Sequence, residues 1–165
     1  MKNLLFIPCY NDEKSLRKLL IEIGNLYQSS FDILIINDGS DQELYFSKKN
    51  KSLKIINLKN NYGIGFCLKF AIKYALKNNY KKFCRIDSDG EHHPKYIKDI
   101  FKMLDLNDFI LGDRKILFKQ SYFKIASKKM INLIINKLFG LKIDDYNCGM
   151  MGLKVNAMKK IKNDH

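Results

Sequence analysis

Short apolar, β-rich runs alternate with amphipathic helical patterns along most of this chain, and that alternation restricts its fold more than any other feature. Residues 4–7 read as a buried strand. Leu16, Leu19, Leu20, Ile23 and Leu26 follow at the three-four spacing of a helix, with Asn11 or Asp12 available as its cap. Residues 33–36 and 53–58 read as a second and a third strand. Ile64, Cys67, Leu68, Ala71, Ile72, Ala75 and Leu76 then mark a strongly amphipathic helix. A fourth strand is expected at 83–86, then a helix opened by Pro94 and carrying Ile97, Ile100, Phe101 and Leu104, then a fifth strand at 109–111. Such an order builds a three-layer α/β/α domain: a mostly parallel sheet with helices on both faces. Residues 118–139 form a further helical stretch ended by Gly140, and residues 148–153 suit a last strand.

At 165 residues with 46% hydrophobic side chains, the chain can close one core, and a single domain spanning 1–165 is expected. No apolar run approaches the roughly 20 residues that cross a bilayer. The opening run breaks at Pro8, too short for a secretory signal. The expected location is therefore cytoplasmic, either free or peripheral on the cytoplasmic face of the membrane. Cys9, Cys67, Cys84 and Cys148 stand singly, without the paired spacing of a zinc site or a disulfide framework. Thirty basic against 17 acidic residues give a net charge of +13, which suits phosphorylated substrates, anionic lipid or nucleic acid. Only Arg17, Arg85 and Arg114 among the thirty are arginines, however, and base readout favours arginine forks. With no nucleic-acid motif in the chain, a solvated lysine surface is the stronger reading, and nucleic acid is not an expected partner.

Ligands of open α/β sheets bind beyond the carboxyl ends of the strands, and the polar residues of this sequence gather there. The first strand ends in Pro8-Cys9-Tyr10-Asn11-Asp12, the second in Asn37-Asp38-Gly39-Ser40, the fourth in Asp87-Ser88-Asp89 and the fifth in Gly112-Asp113-Arg114. Asp87 and Asp89, with Gly90 after them, can both reach one hard cation, and oxygen ligands favour magnesium or manganese. Asp38 reads either as a turn residue in Asp-Gly-Ser or as a carboxylate that accepts hydrogen bonds from a base or ribose. Gly63-Ile64-Gly65 does not complete a dinucleotide fingerprint, because Leu68 takes the place of the third glycine. It does suit a helix N-terminus that a phosphate approaches closely. His92 and His93 precede Pro94 and are expected to shape the start of its helix, with His92 near the site.

In order and spacing, Pro8-Cys9-Tyr10-Asn11-Asp12-Glu13, Asn37-Asp38-Gly39-Ser40, Asn60-Asn61-Tyr62-Gly63-Ile64-Gly65, Asp87-Ser88-Asp89 and Gly112-Asp113-Arg114 resemble glycosyltransferase family 2 over about positions 3–115. The resemblance implies the GT-A fold, a Rossmann-like nucleotide-sugar-binding architecture. Residues 1–115 would be its nucleotide-sugar-binding part and 116–165 a shortened acceptor part. It implies Pro8, Tyr10 and Asp38 around the base and ribose, Asp87 near the ribose and diphosphate, and Asp89 on the metal. Asn11, Glu13, Gly63, Ser88 and Arg114 complete the implied nucleotide-sugar contacts. The stretch Asp87-Ser88-Asp89-Gly90-Glu91-His92-His93-Pro94 is similar, more narrowly, to dolichyl- and undecaprenyl-phosphate sugar transferases. Glu91 there takes the place of a metal-ligating glutamine, so the implied ligands of Mg2+ or Mn2+ are Asp87, Asp89 and Glu91. Gly140, Asp145 and Gly149 match the spacing of that group's later motif, which implies Asp145 near the acceptor as the candidate base, and Arg114 at the diphosphate. Asp145 reads equally as a turn residue beside Asp144.

The function so implied is single-displacement, inverting transfer of a sugar from a UDP- or GDP-sugar to an acceptor, either a lipid phosphate such as a polyprenyl phosphate or a saccharide. The metal and Arg114 would stabilise the departing diphosphate. The chain departs from the pattern at Asp113, where a small neutral residue is usual, and at Met151, where an arginine often stands; Lys124 lies near a position where another arginine is missing. These departures keep a second reading open, a truncated or inactive domain that binds nucleotide-sugar or a partner without turnover. A basic nucleic-acid-binding domain is a third reading, supported by charge alone. The lysine-bearing helix at 118–139 reads as core packing or as a contact with an anionic membrane surface.

Overall fold

The computed structural model describes residues 2–27, 30–46, 52–112 and 148–157. β1 (Asn3–Cys9) is followed by α1 (Glu13–Leu26), β2 (Asp32–Asn37), β3 (Leu53–Asn57), α2 (Ile64–Lys77) and β4 (Lys82–Arg85). A 3₁₀ turn (Pro94–Tyr96) leads into α3 (Ile97–Met103), and β5 (Phe109–Leu111) and β6 (Met151–Lys154) are the remaining described elements. The helix expected at 118–139 lies outside the described residues.

The strands form one sheet in the order β3-β2-β1-β4-β6-β5. β3, β2, β1 and β4 pair in parallel, as strand–helix alternation dictates. β6 lies between β4 and β5 and runs antiparallel to both. The sequence locates a strand near 148–153 but carries no signal for that insertion or direction.

β1 occupies the middle of the parallel group, and its Leu4, Leu5, Phe6 and Ile7 are at most 1% exposed. A strand covered on both faces has no polar side, which is why its sequence runs apolar without alternation. The alternation is instead between two cores. Leu5, Ile7 and Cys9 pack with Leu16, Leu19 and Ile23 of α1 and Ile97, Ile100 and Phe101 of α3. Leu4 and Phe6 pack with Cys67, Ala71 and Ala75 of α2, together with Phe83 and Leu153. Each buried large aliphatic or aromatic side chain contributes about 1.5–3 kcal/mol, so these two layers hold the helices to the sheet. The small residues at every fourth position of α2 let its backbone lie close to β1. α2 ends in a Schellman motif: Asn79 takes a positive φ of 58°, Asn79 N–H donates to Leu76 O and Tyr80 N–H to Ala75 O.

Gly152 of β6 faces α3, and a Cβ there would lie 2.4 Å from Ile100 Cγ2 and 3.1 Å from Leu104 Cδ1. Gly152→Ala should therefore destabilise the protein by about 1–3 kcal/mol through overpacking. Gly24, exposed in α1 with no atom within 4 Å of an added Cβ, should respond oppositely, Gly24→Ala stabilising by roughly 0.5–1 kcal/mol. Urea unfolding of the two variants checks both signs.

Candidate functional site

Because β2, β1 and β4 are parallel neighbours, their carboxyl ends share one edge of the sheet. Antiparallel β6 begins at that same edge, so residues 148–150 join it. The β1–β2 ladder continues to Cys9–Asn37, whereas the β1–β4 ladder stops at Phe6–Arg85. Pro8 accounts for the difference. Phe6 turns its carbonyl to β4, where it accepts from Ile86 N–H at 3.1 Å, and two residues on Pro8 has no N–H for the next rung. The chain after β4 is thus released into the turn that carries Asp87, Ser88 and Asp89.

Side chains latch the loops of this edge together. Asn11 takes a positive φ of 49°, its N–H donates to Ser40 Oγ at 2.8 Å, and its Oδ1 accepts from Asp41 N–H at 2.9 Å. Asp12 precedes α1 but makes no side-chain cap. Its carboxylate accepts from the Ser88 hydroxyl at 3.3 Å, joining the β1 and β4 ends. Asn37 is 1% exposed and its amide donates to Gln42 O and to Asn57 Oδ1, while Ser40 Oγ donates to its Oδ1. Asn57 in turn accepts from Leu44 N–H and donates to Leu44 O. A cross-strand amide pair therefore folds the 40–46 segment back onto β2 and β3.

Asp38 is 5% exposed, and its carboxylate accepts from Tyr62 N–H at 2.9 Å and Gly63 N–H at 2.8 Å. It fixes the approach to α2 by bonds to a loop 24 residues away. Gly39 (φ +68°) sits against this loop so tightly that a Cβ would lie 2.2 Å from the Asn60 carbonyl carbon. Cys67 lies next to the same carboxylate; burial, and then the Asp38 charge, push its thiol up to about 12. All four cysteines are buried free thiols, in keeping with their solitary spacing. Gly63 caps α2 with φ +83° and open space around it. Tyr10 and Tyr62 are about half exposed at 52% and 53%, and Tyr62 stacks on Phe66 with ring centroids 4.7 Å apart. Glu13 is held by Arg17 in a helix-surface ion pair.

The Asp87 carboxylate is gripped by Arg85: Nε donates to Oδ1 at 2.8 Å and Nη2 to Oδ2 at 2.9 Å. Burial raises the Asp87 pKa, the Arg85 charge and hydrogen bonds pull it back, Asp89 raises it further and His92 lowers it; the net shift is upward. Gly149 stands directly across from it. The β4–β6 register pairs Arg85 with Met151, so two residues on Asp87 meets Gly149, where a Cβ would lie 2.2 Å from Asp87 Oδ2. Asp89 Oδ1 accepts from Glu91 N–H at 2.9 Å, and Gly90 turns the chain at φ +77°. His93 Nδ1 accepts from Lys95 N–H and so shapes the turn at Pro94, as its position suggests. His92 Nε2 lies 3.5 Å from Cys148 Sγ, on the β6 side of the edge.

Pro8, Tyr10, Asn11, Asp38, Gly63, Asp87, Ser88 and Asp89 are thus placed at or next to one edge. Asp87, Asp89 and Glu91 supply hard oxygen donors suited to Mg2+ or Mn2+, but no three His, Cys, Asp or Glu side chains among the described residues are grouped to hold a metal ion. Arg114 and Asp145 lie outside the described residues. The contributions of Arg85, Asn57 and the bare Cα of Gly149 escape sequence reading. The one available hint is an arginine two residues before Asp87 in a lysine-dominated chain.

A family model, glycosyl transferase family 2, matches residues 5–162, and the chain belongs to that family. Among curated relatives, the dodecaprenyl-phosphate galacturonate synthase of Rhizobium johnstonii is 22% identical over 96% of this chain and 49% of its own. Among solved structures, S. aureus TarS in complex with UDP-GlcNAc superposes with a TM-score of 0.60 at 19% identity, covering 98% of this chain and 48% of that one. The Pyrobaculum calidifontis mannosyltransferase in complex with GDP-Man and Mn2+ superposes with a TM-score of 0.62 at 10% identity, covering 97% and 46%. These structural likenesses establish the GT-A fold expected from the motifs. The chain spans about half the length of such curated relatives.

Asp38→Ala would remove the acceptor of the Tyr62 N–H and one of the two acceptors of the Gly63 N–H, the other being Asn61 Oδ1, and should cost about 0.5–1.5 kcal/mol, with faster amide exchange at Tyr62 and, less, at Gly63. Chemical denaturation and residue-resolved hydrogen exchange check it; unchanged protection at both amides would contradict the assigned role.

Proposed function

We propose that the chain binds a UDP- or GDP-sugar at the β2–β1–β4 edge and transfers the sugar, with inversion, to an acceptor of the polyprenyl-phosphate class. The observation that carries this reading is the edge itself: in a family 2 chain, Asp87, Ser88 and Asp89 follow the released end of β4, with Ser88 bonded to the β1 loop and Asp87 against Gly149. Tyr10, Asn11 and Pro8 would border the nucleoside, with Glu13 at the margin. Asp38 would shape the base pocket through the loop it holds, and Gly63 would admit the donor backbone closely at the start of α2. A relative that acts on a dodecaprenyl phosphate and structural neighbours solved with UDP-GlcNAc or with GDP-Man support the choice of ligands.

Mg2+ or Mn2+ would neutralise charge on the donor diphosphate. Asp89 is the carboxylate to hold it, with Glu91 nearby and the remaining ligands from water and phosphate, the usual habit of such ions. Asp87 would order the donor beside it. Arg114 would meet the leaving diphosphate. An acceptor phosphate is already anionic and needs little general base, whereas a hydroxyl acceptor would call on Asp145. No helix among the described residues is long and apolar enough to cross a membrane, so contact with a lipid-linked acceptor would be made from the membrane surface.

Thermal shift with UDP-GlcNAc and with GDP-mannose, each with and without Mn2+, tests donor binding. Asp89→Ala should abolish the Mn2+-dependent part of the shift while leaving the metal-free melting temperature near that of wild type. An Mn2+-dependent shift that survives in Asp89→Ala would sink the metal assignment. Mass spectrometry of undecaprenyl phosphate incubated with protein and donor then reads transfer. Binding without transfer would favour the non-catalytic reading.

A further inference from the structure

Arg85 is one of three arginines in a chain whose other basic residues are lysines. Where nearly every cation is a lysine, an arginine marks a position at which a planar fork does what a point charge cannot. Its side chain is 16% exposed, and it meets Asp87 through two N–H···O bonds of 2.8 and 2.9 Å. Both residues lie on the α2 side of the sheet, two apart along the strand, where alternate side chains share a face. From the opposite side Gly149 leaves a gap that the carboxylate fills, its Oδ2 lying 2.2 Å from where a Cβ would stand. The carboxylate is therefore fixed from two directions by two segments, β4 and the start of β6.

We propose that Arg85 is a positioning residue of the donor site. Its fork, together with the absent side chain of Gly149, holds Asp87 in a single orientation, with the carboxylate ordering the donor and the cation left to Asp89. The inference rests on the donor-binding reading above and adds to it a residue whose action passes wholly through Asp87. A plain structural ion pair would need only the positive charge. Orientation needs the fork, because paired parallel N–H···O bonds fix a carboxylate plane and a single ammonium does not.

Arg85→Lys keeps the charge and removes the fork. Calorimetric titration with UDP-GlcNAc or GDP-mannose in Mn2+, whichever wild type binds, should show Kd raised about tenfold or more, the order of loss expected when a hydrogen bond to a charged group is given up. The melting temperature without ligand should stay close to wild type. Gly149→Ala displaces the same carboxylate from the other side and should weaken binding similarly; if Arg85→Lys does not fold, Gly149→Ala decides by the same criterion. In an Asp87→Asn background, Arg85→Lys should bring no further loss. Wild-type affinity in Arg85→Lys overturns the proposal, and so does a loss that multiplies fully with that of Asp87→Asn, since Arg85 would then act elsewhere. A wild-type protein that binds neither donor overturns the donor-site reading and this inference together. Wild-type binding with an unaffected Arg85→Lys overturns the inference alone.

Discussion

The geometry of the candidate site descends from a hydrogen bond that Pro8 cannot make. β1 is bonded to β2 along its whole length but to β4 only as far as Arg85, and the missing N–H at Pro8 frees the chain that follows. Had an ordinary residue stood there, its N–H could have made the next rung and carried the β1–β4 ladder past residue 86. The released segment instead curls at Gly90 and offers Asp89 at the rim, while Ser88 reaches across to Asp12. A single imino acid in the most buried strand thus separates what is core in β4 from what is site.

The rest of the edge consists of compensations for this opening. A sheet edge where several strands end exposes carbonyls and amides that lack ladder partners, and buried polar groups left unpaired are costly. Here Asn37 with Asn57, Asn11 with the 40–41 segment, and Asp38 with the Tyr62 and Gly63 amides absorb them. β6 supplies the last wall. Its antiparallel direction is what sets Gly149, rather than a residue from the far end of the strand, opposite Asp87.

Much of this was legible in the sequence because local patterns encode it. The apolar run at 4–7, the three-four spacing of Cys67, Ala71 and Ala75, and the Asp-x-Asp after an apolar strand each report on neighbours along the chain. The parallel pairing of the first four strands is in line with connection rules, and the glycines at 39, 63 and 90 sit where positive φ is needed. What stayed hidden depends on contacts between distant segments. Nothing near Met151 reveals that its strand will insert between β4 and β5. Nothing near Gly149 shows that Asp87 will occupy the space of its side chain. Asp38 illustrates a subtler case: Asp-Gly-Ser gives no sign of the Tyr62–Gly63 loop, 24 residues on, whose amides its carboxylate holds. The fork that Arg85 places on Asp87 is hidden in the same way, since the spacing of Asp87, Asp89 and Glu91 does not show that a side chain two residues upstream engages the first of them.

On the proposed reading, the charges of the edge give a cation a role even in so basic a chain. The net charge of +13 creates a field that gathers phosphates from a distance, yet beyond about 8 Å it is screened at physiological ionic strength. Within that range a diphosphate would face Asp12, Asp38, Asp87, Asp89 and Glu91. Asp12 accepts from the Ser88 hydroxyl, and Asp38 and Asp87 are answered more fully, Asp38 by a pair of backbone N–H groups and Asp87 by the guanidinium fork. Asp89 lies at the rim with one oxygen engaged by a single amide, a weaker answer than either. Asp89 is therefore the carboxylate to which, on the proposed reading, solvent and donor phosphate would add the further oxygen ligands of a divalent ion. On the proposed reading, Arg85 does not compete with the metal. By satisfying Asp87 it decides which carboxylate of the pair remains to bind it.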